Sequence, residues 1–145
     1  MRAVIQRVKR TALRVNGSLI SQIDGGLAVY LGVSPDDTEK NAAAMAKKIV
    51  NLRIFEDGQG KMNLSVQDVG GEILLISQFT LYGDCSHGNR PSFIGAARPE
   101  QAEPLYRYTA ECLRGYNVSV KTGVFGADMK IEQYNDGPVT ILYDC

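Results

Sequence analysis

Histidine is almost missing from this chain of 145 residues, with His87 the only one. Zinc and non-haem iron centres usually draw on several histidines, so no metal and no cofactor are expected. The 3 cysteines, Cys85, Cys112 and Cys145, are an odd set without C-x-x-C spacing, which fits reduced thiols rather than a disulfide framework or a zinc site. Long apolar runs are lacking too. Leu27 to Val33, interrupted by Gly32, and Ile73 to Ile76 fall far short of the ~20 residues that cross a bilayer. Arg2 and Arg7 stand where a secretory signal would be apolar, so no membrane association is expected and the cytoplasm is the expected location.

An excess of charge of either sign is also absent. Lys plus Arg and Asp plus Glu number 16 each, and the field of the whole molecule does not announce a nucleic-acid binder. The distribution is less even: Arg2, Arg7, Lys9, Arg10 and Arg14 all precede the first acid, Asp24. This basic opening reads equally as a solvated strand face or as a phosphate-binding patch.

With 44% hydrophobic and 22% charged residues, the chain has the composition of a folded domain rather than of a disordered or fibrous segment. Residues 1–145 are expected to form one domain with no repeat or linker. Ala3 to Val15, Asn16-Gly17 and Ser18 to Ile23 spell a long hairpin closed by a type I′ turn. Leu27 to Val33 and Ile73 to Ile76 are apolar on both faces, as in strands covered on both sides. Ser34 with Pro35 predicts the start of an amphipathic helix carrying Ala42, Met45, Ala46, Ile49 and Val50. A second apolar stripe runs from Ala102 to Leu113; because an interior proline costs about 3 kcal/mol, the helix is expected to begin at Glu103 or Pro104. Three short strands are predicted near 117–121, 131–135 and 139–143, with Gly137-Pro138 as the turn between the last two. Strands followed by helices interleaved with strands imply an α/β domain, with helices over one sheet face and a second β layer on the other. The apolar terminal strand Ile141-Leu142-Tyr143 needs covering, which a homodimer would supply.

Two segments could carry chemistry. Ile73 to Ile76 turns abruptly polar at Ser77-Gln78-Phe79-Thr80, at the carboxyl end of a buried strand, where α/β sheets open their ligand crevices. In an extended chain Ser77 and Phe79 face one way and Gln78 and Thr80 the other; the bland reading is a strand reaching solvent. The second segment is Asn135-Asp136-Gly137-Pro138-Val139-Thr140, where Gly gives backbone freedom and Pro removes an N–H; by itself it is ordinary hairpin punctuation.

Together, Ser-Gln-Phe-Thr-Leu and the later Asn-x-Gly-Pro-Val-Thr resemble the D-aminoacyl-tRNA deacylases, hydrolases that remove D-amino acids from tRNA. Gln6-Arg7-Val8, Gly60-Lys61-Met62-Asn63-Leu64 and Arg90-Pro91-Ser92-Phe93 extend the resemblance over essentially the whole chain. It implies a three-layer α/β/β fold with mixed sheets, in a homodimer whose sites lie at the subunit interface and whose partner is the acceptor end of a D-aminoacyl-tRNA. It further implies a cis Gly137-Pro138 peptide inserted into the other protomer's site as a chirality filter, with Arg7 bracing it and Asn135 and Thr140 flanking it. The 2′-hydroxyl of the terminal adenosine would assist water in attacking the ester. N–H groups around Phe79 and Thr80 would hold the oxyanion, Gln78 and Ser77 would shape the pocket, and Met62 and Phe93 are candidates for holding adenine. A glycyl ester, lacking a side chain to collide with the filter, is expected to enter as well.

Other readings stay open. Thr80 or Thr140 could be a nucleophile, although neither motif supplies the base that a hydroxyl needs. Cys85 and His87 could form a cysteine hydrolase. A non-catalytic dimeric module that binds nucleotides or RNA ends through the basic opening segment is the remaining alternative.

Overall fold

The hairpin forms where the sequence places it. In the computed structural model, which describes residues 1–145, β1 (Arg2–Val15) and β2 (Ser18–Ile23) are antiparallel with Val15 opposite Ser18. Asn16 and Gly17 both take positive φ, 49° and 81°, as a type I′ turn requires. The amino-terminal half of β1 pairs on the same side with β3 (Gly26–Gly32), and β3 runs parallel to β6 (Glu72–Ser77), which runs parallel to β7 (Ser119–Thr122). Along its other side β1 pairs with β8 (Lys130–Asp144). The mixed sheet nearly closes on itself. The Ser21 hydroxyl of β2 donates to the Thr122 carbonyl of β7 at 2.7 Å, and Lys121 Nζ donates to the Gln22 carbonyl at 2.6 Å.

Both faces of β3 and β6 are buried, as their unbroken apolar sequences imply. Leu27, Val29, Leu31, Ile73 and Leu75 pack on one face with α1 (Glu39–Asn51) and α2 (Pro99–Arg114). Ala28, Leu74 and Ile76 pack on the other with Val8, Leu13 and Ile23 from β1 and β2. The strands β3 and β6 meet so closely at Gly26 that a Cβ there would lie 1.9 Å from the Glu72 carbonyl oxygen. A short hairpin, β4 (Phe55–Glu56) with β5 (Met62–Leu64), stands apart from the main sheet. No helix is long and apolar enough to cross a membrane.

Three expectations are corrected. The first helix starts at Glu39 rather than Pro35, because the Ser34 N–H donates to the Asp37 carboxylate at 2.6 Å and the Asp37 N–H returns to the Ser34 carbonyl at 3.2 Å. This local turn takes up Pro35 and Asp36, and Thr38 with Asn41 then forms the capping box. The second helix starts at Pro99 and passes through Pro104 unbroken. Pro104 is on the exposed face, so water can take the Glu100 carbonyl that it leaves unbonded, while buried Ala102, Leu105 and Tyr106 hold the turn against the core. Finally, the two terminal strands are one: both halves of β8 pair with β1, so Gly137-Pro138 is a bulge within a strand rather than a hairpin turn.

Candidate active site

A cleft of about 600 Å³ opens at the carboxyl ends of β3 and β6, between the start of α2 and the segment linking β7 to β8. Its wall is largely apolar, with Leu31, Val33, Ala102 and Phe125 among its members, and Ser77 and Gln78 supply polar groups. The crevice therefore lies where β6 turns polar. The predicted alternation stops after Gln78, because residues Phe79–Tyr82 wind into a 3₁₀ turn. As a result Ser77, Gln78 and Phe79 all line the cleft, whereas Thr80 does not. The Gln78 amide donates instead to the Thr80 hydroxyl. Within such a turn the first N–H groups, on Phe79 and Thr80, have no intrahelical partner.

Phe79 is 56% exposed, and its ring meets Phe93 edge to face with centroids 5.2 Å apart. The titratable side chains on the wall are Arg98, Asp128 and Tyr106. Asp128 is held by Lys130 at 3.0 Å. Burial pushes the Tyr106 phenol up to about 12, and its hydroxyl donates to the Leu75 carbonyl at 2.7 Å. The cleft thus carries donors and apolar surface, and no histidine.

A second group of the predicted residues gathers elsewhere. Gln6 faces Thr140 and Val8 faces Asn135, so residues 136–139 stand opposite Arg7 alone. Within this bulge the Gly137-Pro138 peptide is cis, and both residues are exposed. Arg7, buried behind it, donates to the Asp136 carbonyl at 3.2 Å and to the Ile54 carbonyl at 2.7 Å, and its Nη2 lies 3.7 Å from the Glu56 carboxylate. A chain of amides pins the ends of the bulge: Gln6 donates to the Thr140 hydroxyl, and Gln133 donates to both Gln6 and Asn135. Met62, 55% exposed, pairs in the small hairpin with Glu56 and so belongs to this group rather than to the cleft. The bulge nevertheless stands apart from the cleft, whose wall takes in β8 only at Ile131 and includes none of residues 132–144.

Residues 4–144 match the family described as D-Tyr-tRNA(Tyr) deacylase. The chain belongs to that family. Its members are hydrolases acting on ester bonds. Relatives named D-aminoacyl-tRNA deacylase include those of Fervidobacterium nodosum, 54% identical over 99% of this chain and 97% of the relative, and of Thermosipho melanesiensis, 55% identical over the same shares. A solved structure titled c-Myc DNA Unwinding Element Binding Protein superposes with a TM-score of 0.92 at 46% identity, covering 100% of this chain and 99% of that one. A second, titled as a probable eukaryotic D-amino acid tRNA deacylase, shares the fold at a TM-score of 0.83 and 18% identity, covering 99% and 98%.

In this deacylase-family chain the Cys85 and His87 side chains are exposed in the 83–93 loop and do not contribute to the cleft wall. No group of 3 or more His, Cys, Asp or Glu is placed to hold a metal ion. Sequence reasoning missed Arg98, Tyr106, Phe125 and Met129 on the cleft. Tyr106 was hidden in the apolar stripe of α2, and nothing in the local sequence of Phe125 to Met129 shows that it folds back over the carboxyl end of β6.

Proposed function

We propose that the cleft receives the aminoacylated 3′ end of a D-aminoacyl-tRNA and hydrolyses its ester. Water adds its oxygen to the ester carbonyl carbon, the bond from that carbon to the ribose oxygen breaks, and a proton passes to the ribose oxygen. Free D-amino acid and tRNA leave. The N–H groups of Phe79 and Thr80 stabilise the developing oxyanion, Ser77 and Gln78 shape the rim, and Phe93 with Phe79 offers rings for adenine. The terminal 2′-hydroxyl of the RNA assists the water, in keeping with a wall that lacks a histidine.

The observation that carries this reading is the exposed Gly137-Pro138 bulge, a stretch of main chain fixed from behind by Arg7 yet separated from the cleft of its own chain. A second copy of the chain can bring bulge and cleft together. In such a homodimer, with α, β and β layers in each protomer, Gly137 and Pro138 present backbone to the substrate amino group and occupy the space that an L side chain needs. Rejection by a rigid obstacle works for any side chain, whereas an attractive pocket would have to fit each one. Asn135 and Thr140 hold the ends of the bulge, and Met62 rides with it into the shared site. Glycyl-tRNA, without a side chain, also enters. The cytoplasm, where tRNA is charged, is the site of action.

The test is release of free amino acid from D-tyrosyl-tRNA and L-tyrosyl-tRNA by purified protein. The deacylase reading expects turnover of the D ester alone. Binding of the RNA without release of either amino acid would favour the non-catalytic module.

A further inference from the structure

Arg98 is the one charged side chain on the cleft wall without a partner. Asp128, the other, is taken by Lys130. Other arginines are engaged, among them Arg2 with Asp144, Arg107 with Glu103 and Arg114 with Glu111, all within 3.0 Å. Arg98 makes no side-chain cap to α2 and no ion pair with Glu100 in the first turn, and it is exposed. Arg90, also unpaired, lies off this wall.

The backbone around Arg98 is fixed although its side chain is free. The neighbouring Ala97 N–H donates to the Val33 carbonyl at 2.8 Å, and the Arg98 carbonyl accepts the N–H groups of Gln101 and Ala102 at 3.0 and 2.9 Å. The backbone that carries the guanidinium is thereby fixed at the cleft, and the positive end of α2 reinforces its charge. An aminoacyl ester has no free carboxylate, and its amino group is a cation that Arg98 repels. The anions on a charged RNA end are its phosphodiesters, and a guanidinium matches two phosphate oxygens with parallel N–H donors.

We infer that Arg98 is a substrate-positioning residue that binds the phosphodiester joining the terminal nucleoside to the rest of the RNA. The inference rests on the deacylase reading and extends it to the RNA backbone.

The test compares two substrates, D-tyrosyl-tRNA and the D-tyrosyl ester of adenosine, which has no phosphate. Arg98→Gln raises KM for the tRNA about tenfold with kcat nearly unchanged, and leaves the adenosine ester untouched. The slope of log kcat/KM against log salt with the tRNA flattens by roughly the 0.7 that one single-strand phosphate contact contributes. Arg98→Lys keeps part of the affinity, and Lys47→Gln, the loss of an exposed charge on α1, changes neither substrate. Equal losses on both substrates, or no loss on either, overturn the assignment. Wild-type protein inactive on both esters overturns the deacylase reading, and the assignment falls with it.

Discussion

Arg7 Nε lies 3.2 Å from the Asp136 carbonyl oxygen and donates to it from a residue only 6% exposed, so a buried cation braces from behind the bulge that carries Gly137 and Pro138. The same guanidinium binds the Ile54 carbonyl on the chain leading into β4 at 2.7 Å. Arg7→Met leaves both carbonyls without their charged donor and costs about 2–3 kcal/mol, measurable as a lower urea midpoint. Arg7→Lys restores only part of this, because an ammonium lacks the planar fork that serves both acceptors. Both variants also lose discrimination between D and L esters.

Gly137 has φ of +124°, and a Cβ there would lie 2.8 Å from the Val139 nitrogen and 2.9 Å from its Cγ2. Gly137→Ala must therefore shift the bulge, at a cost of about 1–3 kcal/mol. In competition assays its ratio of D-tyrosyl to L-tyrosyl hydrolysis falls about tenfold, equivalent to about 1.4 kcal/mol in the difference between the two esters. An unchanged ratio in a folded variant would remove Gly137 from the filter.

The Thr80 hydroxyl accepts a hydrogen bond from Gln78 and donates to no base, so it is not set up to lose a proton and attack. Thr80→Ala retains measurable deacylation, and so does protein alkylated at Cys85. Loss of turnover in folded Thr80→Ala, together with an acyl adduct on the wild-type hydroxyl, would replace RNA-assisted hydrolysis with an acyl-threonine mechanism.

Asp57 organises the loop between β4 and β5. Its carboxylate accepts from the Asn63 amide at 2.6 Å and from the N–H groups of Lys61 and Gln59 at 3.0 and 2.8 Å. The Asn63 bond first, then those to Lys61 and Gln59, hold its pKa below the ordinary carboxylate value. A depressed folded pKa contributes stability above the unfolded value of about 3.9, and that stability is lost as pH falls through the folded value. Asp57→Asn is therefore less stable than the parent at neutral pH, and acid-unfolding curves of the two begin to converge as pH falls below about 3.9 and meet once the depressed folded value has been passed.

Much of the fold is legible because local signals and burial agree. Asn16-Gly17 forces the hairpin, and the two-sided apolar runs become β3 and β6 with helices on one side and the curled β1, β2 and β8 on the other. The misread places are those where longer-range partners decide. Gly137-Pro138 looks like a turn until β1 is seen to pair with both halves of β8. Pro104 looks like a helix start until packing of its buried neighbours outweighs one lost hydrogen bond. Of the candidate site, Ser77, Gln78, Phe79 and Phe93 share a cleft, because β6 and the 3₁₀ turn that follows it deliver three of them and the Phe79 ring seats the fourth. Arg98 and Phe125 were not legible, since only tertiary folding brings the start of α2 and the segment linking β7 to β8 to the same crevice.

The claim that one copy's bulge works in another copy's cleft is tested most directly by photo-crosslinking. A benzophenone side chain is placed at Thr140, light and heavy isotope-labelled protein are mixed under conditions that allow subunits to exchange, and the joined peptides are sequenced by mass spectrometry. The account predicts mixed-isotope crosslinks from position 140 to residues 77–80 or 93–98. Crosslinks confined to one isotope, or directed to another surface, would contradict it.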